Sequence, residues 1–426
     1  MPKACASSDS HSPIRWWRSV GPAIITACVV LGPGSLLINS NIGAEYGYEL
    51  LWLLVLTGVL MGTYLTMAAR IGVVGGATPC TLVAQRIGRP FAALIGINLC
   101  LICTTFQFSN NLAVAAAAKA LLPKLGADAV LIGLNGLIII FIFTARRIYH
   151  LLEYSMKIMV AIMLLCFVIN LVIAGSDLTG IIKGFVPSWP AGLSFGVPRK
   201  IGSSIQDPMI LVASLMGTTF SVAAAFYQGN LVREKNWTIR EYDRGVSDSI
   251  IGVGILTLLS AIIMITTATV IPGRGAADIG TLALSLRPLL GHVAHVIFCV
   301  GLLAVSMNPF LINAMIGGSI LADGIGRPAK LNDPWSRRFT VIVLLIGMVV
   351  AILALRTGEK PVKLIIFSQA LTVLGNPLMA ATLLWLANRR DIMGDRRNKI
   401  GINVLGGIGL LVVVLMAIRV LYRLVL

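Results

Sequence analysis

The feature that most constrains this chain is a series of apolar runs, most of them about twenty residues long or longer. Charged residues make up 12% of the sequence, whereas soluble domains contain about 25%. An apolar run of about twenty residues crosses a bilayer as a helix. The sequence therefore predicts an all-α polytopic membrane protein. We predict about eleven transmembrane helices, called spans 1 to 11, near residues 19–45, 48–70, 90–121, 127–145, 149–174, 206–231, 246–271, 292–321, 338–356, 362–388 and 401–424.

The net charge of +17 does not indicate nucleic acid binding, because the basic residues lie mainly in short segments between the spans. Cytoplasmic loops of membrane proteins carry an excess of lysine and arginine. One side of the predicted topology holds the N-terminus and four arginine pairs, Arg146-Arg147, Arg337-Arg338, Arg389-Arg390 and Arg396-Arg397. We therefore expect residues 1–18 to form a cytoplasmic tail and the C-terminus to lie outside. We expect the membrane to be a bacterial inner membrane.

The order of the spans predicts two related halves. Residues 175–205 are rich in proline, glycine and serine, and we interpret them as an extracytoplasmic connector. Residues 19–174 hold five spans before this connector, and residues 206–388 hold five after it. Residues 389–426 supply a loop and span 11. Because five is odd, the second half enters the membrane from the opposite side, which gives the inverted repeat found in many transporters.

Span 1 is interrupted at Gly32-Pro33-Gly34. Proline removes one backbone donor and blocks the carbonyl four residues earlier, so the helix is expected to break there. In lipid, non-helical backbone survives only inside protein or beside a watery cavity. A broken helix near the middle of the membrane is therefore a candidate binding site. The alternative is a proline kink between packed helices, since glycine and proline are common in membrane helices.

Span 6 occupies the position equivalent to span 1 in the second half. Its middle, residues 217–229, is rich in small and hydroxyl-bearing side chains. It has no proline, so the sequence leaves open whether span 6 is also broken. If the repeat is inverted, this segment faces the break in span 1. The alternative for each hydroxyl here is a hydrogen bond to its own helix backbone, as serine and threonine often make in membrane helices.

Spans 1 and 2 also carry a recognisable motif pattern. It comprises Gly21-Pro22-Ala23, Gly43, Tyr46-Gly47-Tyr48, Leu50-Leu51-Trp52 and Ala68-Ala69-Arg70-Ile71-Gly72-Val73-Val74. Further matches are Gly301-Leu302-Leu303-Ala304 in span 8 and Gln369 in span 10. On these residues the chain resembles the NRAMP family of divalent metal transporters. The resemblance implies a LeuT-type 5+5 inverted repeat with the substrate held between unwound parts of spans 1 and 6.

The residues that the resemblance would assign to the metal site are mostly replaced. The family motif in span 1 is Asp-Pro-Gly-Asn, and the same four places here are Gly32-Pro33-Gly34-Ser35. The family motif Met-Pro-His in span 6 corresponds to Ser221-Val222-Ala223. Acidic family positions in span 3, implicated in proton relay, correspond to Asn111 and Val114. Gln369 is unchanged. The sequence therefore predicts a divergent member whose metal site has been rewritten.

The predicted substrate site consists of neutral residues on both interrupted spans and on span 10. These are Gly32, Pro33, Gly34, Ser35, Asn39, Thr218, Ser221, Ala224, Gln228 and Gln369. We assign Asn111 to a pathway along span 3. We interpret all seventeen acidic residues and all four histidines as lying at span ends or in loops. The ligands of any metal therefore remain unknown at this stage.

Three functions remain open on this reasoning. The first is a secondary transporter that moves a hydrated divalent cation. Proton coupling is not expected, because the acidic positions of span 3 are replaced. Transition metals are not expected either, because they prefer imidazole and sulfur ligands that this site lacks. The second is a transporter of a small non-metal solute, either an organic anion, an amino acid-like molecule or a neutral polar one. Helix amides after Gly34 would suit an anion. The third is a non-transporting sensor or scaffold. We predict no enzymatic activity, no cofactor and no nucleic acid partner, and oligomeric state stays open.

Overall fold

The structure is a computed structural model that describes residues 31–144, 158, 161–162, 164–173, 175–201, 204–273, 279–287 and 291–426. Within these residues, eight helices are long and apolar enough to cross a membrane. They correspond to spans 2, 3 and 6 to 11, and their bounds are Leu51–Val74, Arg89–Leu121, Ile210–Glu234, Ile250–Val270, Ala294–Gly324, Pro334–Arg356, Pro361–Asn388 and Ile400–Val425. Two shorter apolar helices, Ala127–Ile140 and Leu164–Ile173, belong to spans 4 and 5.

The second half of span 1 is the helix Pro33–Tyr46. Gly32 precedes it with an extended backbone, φ −90° and ψ 170°, and Pro33 occupies the first helical turn. Proline suits that position because its missing N–H has no intrahelical partner there. Residues from Pro33 to Ala44 are all buried, as expected for a central helix surrounded by others. Leu31 and Gly32 are not helical and the helix begins at Pro33, as expected on the C-terminal side of the predicted break. Residues 19–30, the predicted first half of span 1, lie outside the described part of the chain, so the interruption itself stays a prediction.

Span 6 is also broken. It consists of the helices Ile210–Thr219 and Val222–Glu234, separated at Phe220 and Ser221. Ser221 caps the second helix, since its hydroxyl accepts a hydrogen bond from the backbone N–H of Ala224 at 3.4 Å. Serine is a favoured N-cap residue, which explains how a helix breaks here without proline. The structure thus answers the question that the sequence left open.

Span 10 has a third irregularity. The helix Pro361–Leu371 passes through a 3₁₀ turn at Thr372–Gly375 into the helix Asn376–Asn388. A 3₁₀ segment inside a helix often marks a hinge or a functional position. Gln369 lies one turn before this segment, so the irregular part of span 10 comes close to the breaks in spans 1 and 6.

Small residues allow the long helices to approach closely. Spans 3 and 8 pack along each other, and a Cβ atom added at Gly96 would lie 3.0 Å from the carbonyl oxygen of Ile320 and 3.2 Å from Cα of Gly324. Membrane helices associate through such contacts because lipid provides no hydrophobic driving force between them. This packing places spans 3 and 8 beside the interrupted part of span 1.

The segment between spans 5 and 6 contains regular structure. It includes the helix Leu178–Gly184 and a two-stranded antiparallel sheet formed by Arg199–Ile201 and Ser204–Gln206. Asp207 follows the second strand and forms an ion pair with Arg419 of span 11. This pair fixes the end of the segment to the last helix. Several predicted features, including Arg146-Arg147, lie outside the described residues.

Candidate functional site

A small cavity lies where the helix start at Pro33 in span 1 meets the break in span 6. Its volume is about 100 Å³. Its walls come from spans 1, 3, 6, 8 and 10, and the lining residues are Gly32, Pro33, Gly34, Phe106, Asn110, Thr218, Ser221, Ala224, Pro309, Ile312, Asn313, Ile316 and Gln369. One water needs about 10–15 Å³ of such space, so the cavity has room for several waters. It therefore suits an ion with part of its hydration shell or a very small solute.

Seven of the ten predicted substrate-site residues line this cavity. They are Gly32, Pro33, Gly34, Thr218, Ser221, Ala224 and Gln369. The remaining three, Ser35, Asn39 and Gln228, do not line it, and neither does Asn111. Ser35 nevertheless contacts the lining residue Thr218 directly.

A hydrogen bond joins the two interrupted helices. The hydroxyl oxygens of Ser35 and Thr218 lie 2.7 Å apart, and Ser35 is 5% exposed. These two hydroxyls bond to each other, which differs from the alternative of bonding only to their own backbones. The third hydroxyl, that of Ser221, serves as the helix cap. The cavity wall is thus held by side chains on both breaks.

Gln369 is packed against the start of the helix in span 1. Its Nε2 donates a hydrogen bond to the Ser109 hydroxyl at 2.8 Å, while its Oε1 is buried without a hydrogen-bond partner. A Cβ atom added at Gly34 would lie 2.9 Å from the Gln369 Cγ and nearer still to the amide group. Any side chain at position 34 would therefore displace the Gln369 amide from its present position. The unpaired oxygen is a candidate ligand-binding atom.

Asn110 supplies a complementary group from span 3. Its side chain is 3% exposed, it lines the cavity, and its Nδ2 has no hydrogen-bond partner. A buried unpaired amide is costly, so such a group in a cavity wall is expected to meet a ligand or a water. The sequence contained a signal for it, since an asparagine in the middle of an apolar span is expected to face the protein interior.

Other lining residues were absent from the sequence-based site. Phe106, Pro309, Ile312, Asn313 and Ile316 form the walls from spans 3 and 8. Their positions depend on how each helix is rotated about its axis, and a uniformly apolar span gives little indication of rotation. Asn313 is the exception, because a polar residue within span 8 marks an inward face.

Two predicted polar residues, Asn39 and Asn111, lie outside the cavity wall. Asn39 is fully buried one turn beyond Ser35, and neither atom of its amide group has a hydrogen-bond partner. Asn111 donates to the carbonyl of Gln107 and accepts from Nδ2 of Asn135, both at 2.8 Å. Asn111 therefore connects span 3 to span 4. Its assignment to a transport pathway remains a prediction.

The cavity is electrically neutral. None of its described lining residues carries an ionisable side chain. Across the part of the chain that the structure describes, no three His, Cys, Asp or Glu side chains come together as a metal-binding group. The helix that begins at Pro33 therefore directs its positive dipole end toward a space without a lining carboxylate. Its polar lining side chains are hydroxyls and amides.

Among the side chains that the structure describes, two buried carboxylates, Asp207 and Asp323, occur at helix ends away from the cavity lining. Asp323, at the end of span 8, accepts hydrogen bonds from the hydroxyls of Thr78 and Thr81 and from Nδ2 of Asn230. Asp207 pairs with Arg419. Charged groups are tolerated in protein interiors when they are paired or fully hydrogen-bonded. Asp323 therefore ties the second half of span 6 to span 8 and to the loop after span 2.

Comparison with known proteins identifies the family. The sequence model described as Natural resistance-associated macrophage protein-like matches residues 23–423. The chain belongs to the NRAMP family. It is 26% identical over 394 residues to the Divalent metal cation transporter MntH of Deinococcus radiodurans, covering 91% of this chain and 85% of that relative. It is 25% identical over 409 residues to a protein of the same name from Acidiphilium cryptum, covering 94% and 89%.

Solved structures agree with this assignment at the level of the fold. A crystal structure of the Eremococcus coleocola manganese transporter, in complex with an aromatic bis-isothiourea substituted compound, is similar with a TM-score of 0.76 and 19% identity. The similar region covers 99% of this chain and 91% of the manganese transporter chain. The inward facing conformation of Mhp1 is similar with a TM-score of 0.55 and 12% identity, covering 96% and 90%. The predicted LeuT-type fold of this NRAMP protein is thereby confirmed.

Proposed function

We propose that this NRAMP protein is a secondary transporter whose substrate occupies the neutral cavity between spans 1 and 6. The observation that supports this proposal most directly is that the helix start at Pro33 in span 1 and the break in span 6 line the same cavity. Discontinuous membrane helices hold the substrate in transporters of this architecture. The inverted repeat then provides the two alternating states, with residues 19–174 and 206–388 as its halves.

The cargo that we propose is a hydrated divalent cation. The curated relatives are named divalent metal cation transporters. Mg²⁺ retains several of its waters when proteins bind it. Those waters would donate hydrogen bonds to Gln369 Oε1 and to the hydroxyl oxygens of Thr218 and Ser221. Transition metals are disfavoured, because the described cavity wall has no imidazole, thiolate or thioether among its side chains.

We further propose that transport is not coupled to protons. The acidic family positions of span 3 are Asn111 and Val114 here. An amide and an alkyl side chain have no titratable proton to relay. A transporter with this wall would move its cargo down the electrochemical gradient of that cargo alone.

A second candidate cargo is a small solute that accepts hydrogen bonds, such as an organic anion or a neutral polar molecule. The observation that favours it is the unpaired Nδ2 of Asn110, because an amide donor repels a cation and attracts an oxygen acceptor. The helix start at Gly34 has the same preference. The cavity volume of about 100 Å³ limits this cargo to a few non-hydrogen atoms.

A thermal-shift screen of the purified protein would separate these cargoes. We expect Mg²⁺ or another hard divalent ion to raise the melting temperature and a chelator to reverse the effect. Stabilisation by a small organic acid, amino acid or neutral solute, with no response to metals, would support the second cargo. Stabilisation by neither class, together with no saturable flux in liposomes, would favour the sensor or scaffold function instead.

The topology is also part of the proposal. The arginine pairs favour a cytoplasmic N-terminal tail, residues 1–18, and a C-terminus outside. On this basis the segment 175–205 lies outside a bacterial inner membrane, and span 11 follows the loop that starts at residue 389. Cysteine labelling of single exposed sites on each side of intact cells tests this arrangement.

A further inference from the structure

A second and larger cavity lies on the outer surface of the helix bundle, between spans 2, 7 and 11. Its volume is about 480 Å³. It is a groove along span 2 that extends from Val55 to Arg70. At about 1.5 Å per helical residue, this separation is roughly 22 Å, whereas one leaflet of hydrocarbon is about 15 Å thick. The groove is therefore long enough for an extended lipid chain.

Glycine residues create the groove. Gly58 is a contact point between helices, since a Cβ atom there would lie 3.3 Å from Cγ2 of Thr257 and nearer still to its hydroxyl. Added Cβ atoms at Gly62 and Gly254 would meet no atom within 4 Å. Spans 2 and 7 therefore touch at one level and leave open space at the next. The space is part of the surface that faces the bilayer, because Val59 is 48% exposed.

The wall of the groove offers no free hydroxyl donor from its threonine side chains. Three threonine hydroxyls line it, but each donates to a carbonyl of its own helix: Thr63 to Val59, Thr66 to Gly62, and Thr257 to Val253. Their donors are already used, so a polar solute gains little here. An aliphatic chain can lie against these hydroxyls without breaking a hydrogen bond. The groove chemistry thus favours a hydrocarbon chain over a polar cargo.

Arg70 supplies a positive charge at one end. Its Nη2 donates a hydrogen bond to Oδ1 of Asn398, which holds the guanidinium in place. Its Nε is buried and has no hydrogen-bond partner in the structure. Arg70 as a whole is only partly buried and lines the groove, so its charge lies at the groove end, and a guanidinium is suited to a phosphate oxygen. Three exposed basic residues, Arg396, Arg397 and Lys399, flank Asn398, with one acidic residue, Asp395, beside them.

From these observations we propose that the groove binds one anionic glycerophospholipid, with an acyl chain along Gly62 and Gly254 and its phosphate on Arg70. The charge at the groove end complements the headgroup, and basic pockets on the cytoplasmic side of membrane proteins are known to bind anionic lipid headgroups. The positive residues lie on the side that the sequence predicts to be cytoplasmic. This site is separate from the proposed substrate cavity and does not depend on the transported cargo.

Native mass spectrometry of the delipidated protein tests the proposal. Phosphatidylglycerol and phosphatidylcholine with identical acyl chains are titrated in parallel, because they differ in net headgroup charge. We expect the first lipid to form the more abundant adduct. Arg70→Gln is expected to lower its apparent affinity by about fivefold, the factor associated with one basic residue near an anionic headgroup. Arg70→Lys retains the charge and is expected to retain most of the preference.

A second test of the proposal fills the groove with larger side chains. Gly62→Leu combined with Gly254→Leu places side chains in open space, so the protein is expected to fold and to lose the adducts of both lipids. Gly133→Leu is the matched control, since a Cβ atom at Gly133 also meets nothing within 4 Å. The control is expected to bind like the unaltered protein. Equal binding of the two lipids, or an undiminished adduct in the filled variant, would overturn the proposal.

Discussion

Ser35 and Thr218 are separated by 183 residues in the sequence, and their hydroxyl oxygens lie 2.7 Å apart. Ser35 belongs to the helix that restarts after the break in span 1, and Thr218 lies just before the break in span 6. This one hydrogen bond therefore connects the two interruptions that enclose the cavity. If spans 1 and 6 move relative to each other during transport, the bond must break or be remade.

Removing the hydrogen bond between Ser35 and Thr218 is expected to lower the stability of the protein. Ser35→Ala and Thr218→Val should each lower the free energy of unfolding by about 1 kcal/mol, the usual net contribution of one hydrogen bond. The double variant should cost less than the sum of the two, because both changes remove the same interaction. Chemical unfolding of the purified variants measures this. Strict additivity would show that the two hydroxyls do not interact.

A carboxylate placed at position 32 is expected to create affinity for transition metals. A Cβ atom at Gly32 would lie 3.8 Å from Cγ of Pro309, an ordinary van der Waals distance, and the extended backbone there accepts any residue. Gly32→Asp thus adds a negative oxygen ligand at the place where the family motif has its aspartate. We expect Mn²⁺ binding to appear by isothermal titration calorimetry.

Gly32→Asn is the control for that experiment, because it adds a side chain of the same shape without charge. It should bind Mn²⁺ no better than the unaltered protein. Equal Mn²⁺ affinity in the aspartate and asparagine variants would mean that the absence of charge does not determine metal choice.

A methyl group at position 34 is expected to damage the site. Gly34→Ala would force Gln369 away from the start of the helix, because the added atom would overlap its side chain. Overpacking of this kind typically costs about 1–3 kcal/mol. We expect a lower melting temperature and a loss of ligand-induced stabilisation. Gly133→Ala, which also enters open space and lies outside both cavities, is the matched control and should lower neither quantity.

The Asp323 carboxylate is expected to stabilise the ends of spans 6 and 8. Asp323→Asn removes the charge and one acceptor from a group that accepts three hydrogen bonds. We expect a loss of about 2 kcal/mol in unfolding free energy, since hydrogen bonds to charged groups are stronger than neutral ones. Asp177→Asn is the control, because Asp177 is an exposed helix cap and asparagine caps equally well.

Much of the fold could be predicted from the sequence. The spans follow from apolar length, and the break in span 1 follows from Pro33, because proline acts through its own covalent geometry. The break at Ser221 was left open for the opposite reason. The Ser221 side chain can either cap a new helix or lie within an unbroken one, and the surrounding packing determines which of the two forms.

The candidate site was harder to predict in detail. Asn39 lies one turn from Ser35 and was expected in the cavity, yet its side chain is buried elsewhere. Asn313 faces the cavity and was missed. Both outcomes depend on helix rotation, which long-range packing sets. The tight approach of Gly34 and Gln369 likewise joins residues far apart in sequence, so no local pattern reveals it.

Flux measured in proteoliposomes, with a pH-sensitive dye inside, tests the central claim most directly. Liposomes containing the unaltered protein or Gly34→Ala are compared for uptake of Mg²⁺, Mn²⁺ and small solutes between about pH 5 and pH 8, the range in which histidine and perturbed acids change charge. The account predicts saturable uptake of a hydrated ion or small solute, unaccompanied by acidification, insensitive to pH and reduced by the variant. Saturable Mn²⁺ uptake with matching acidification of the lumen would contradict it.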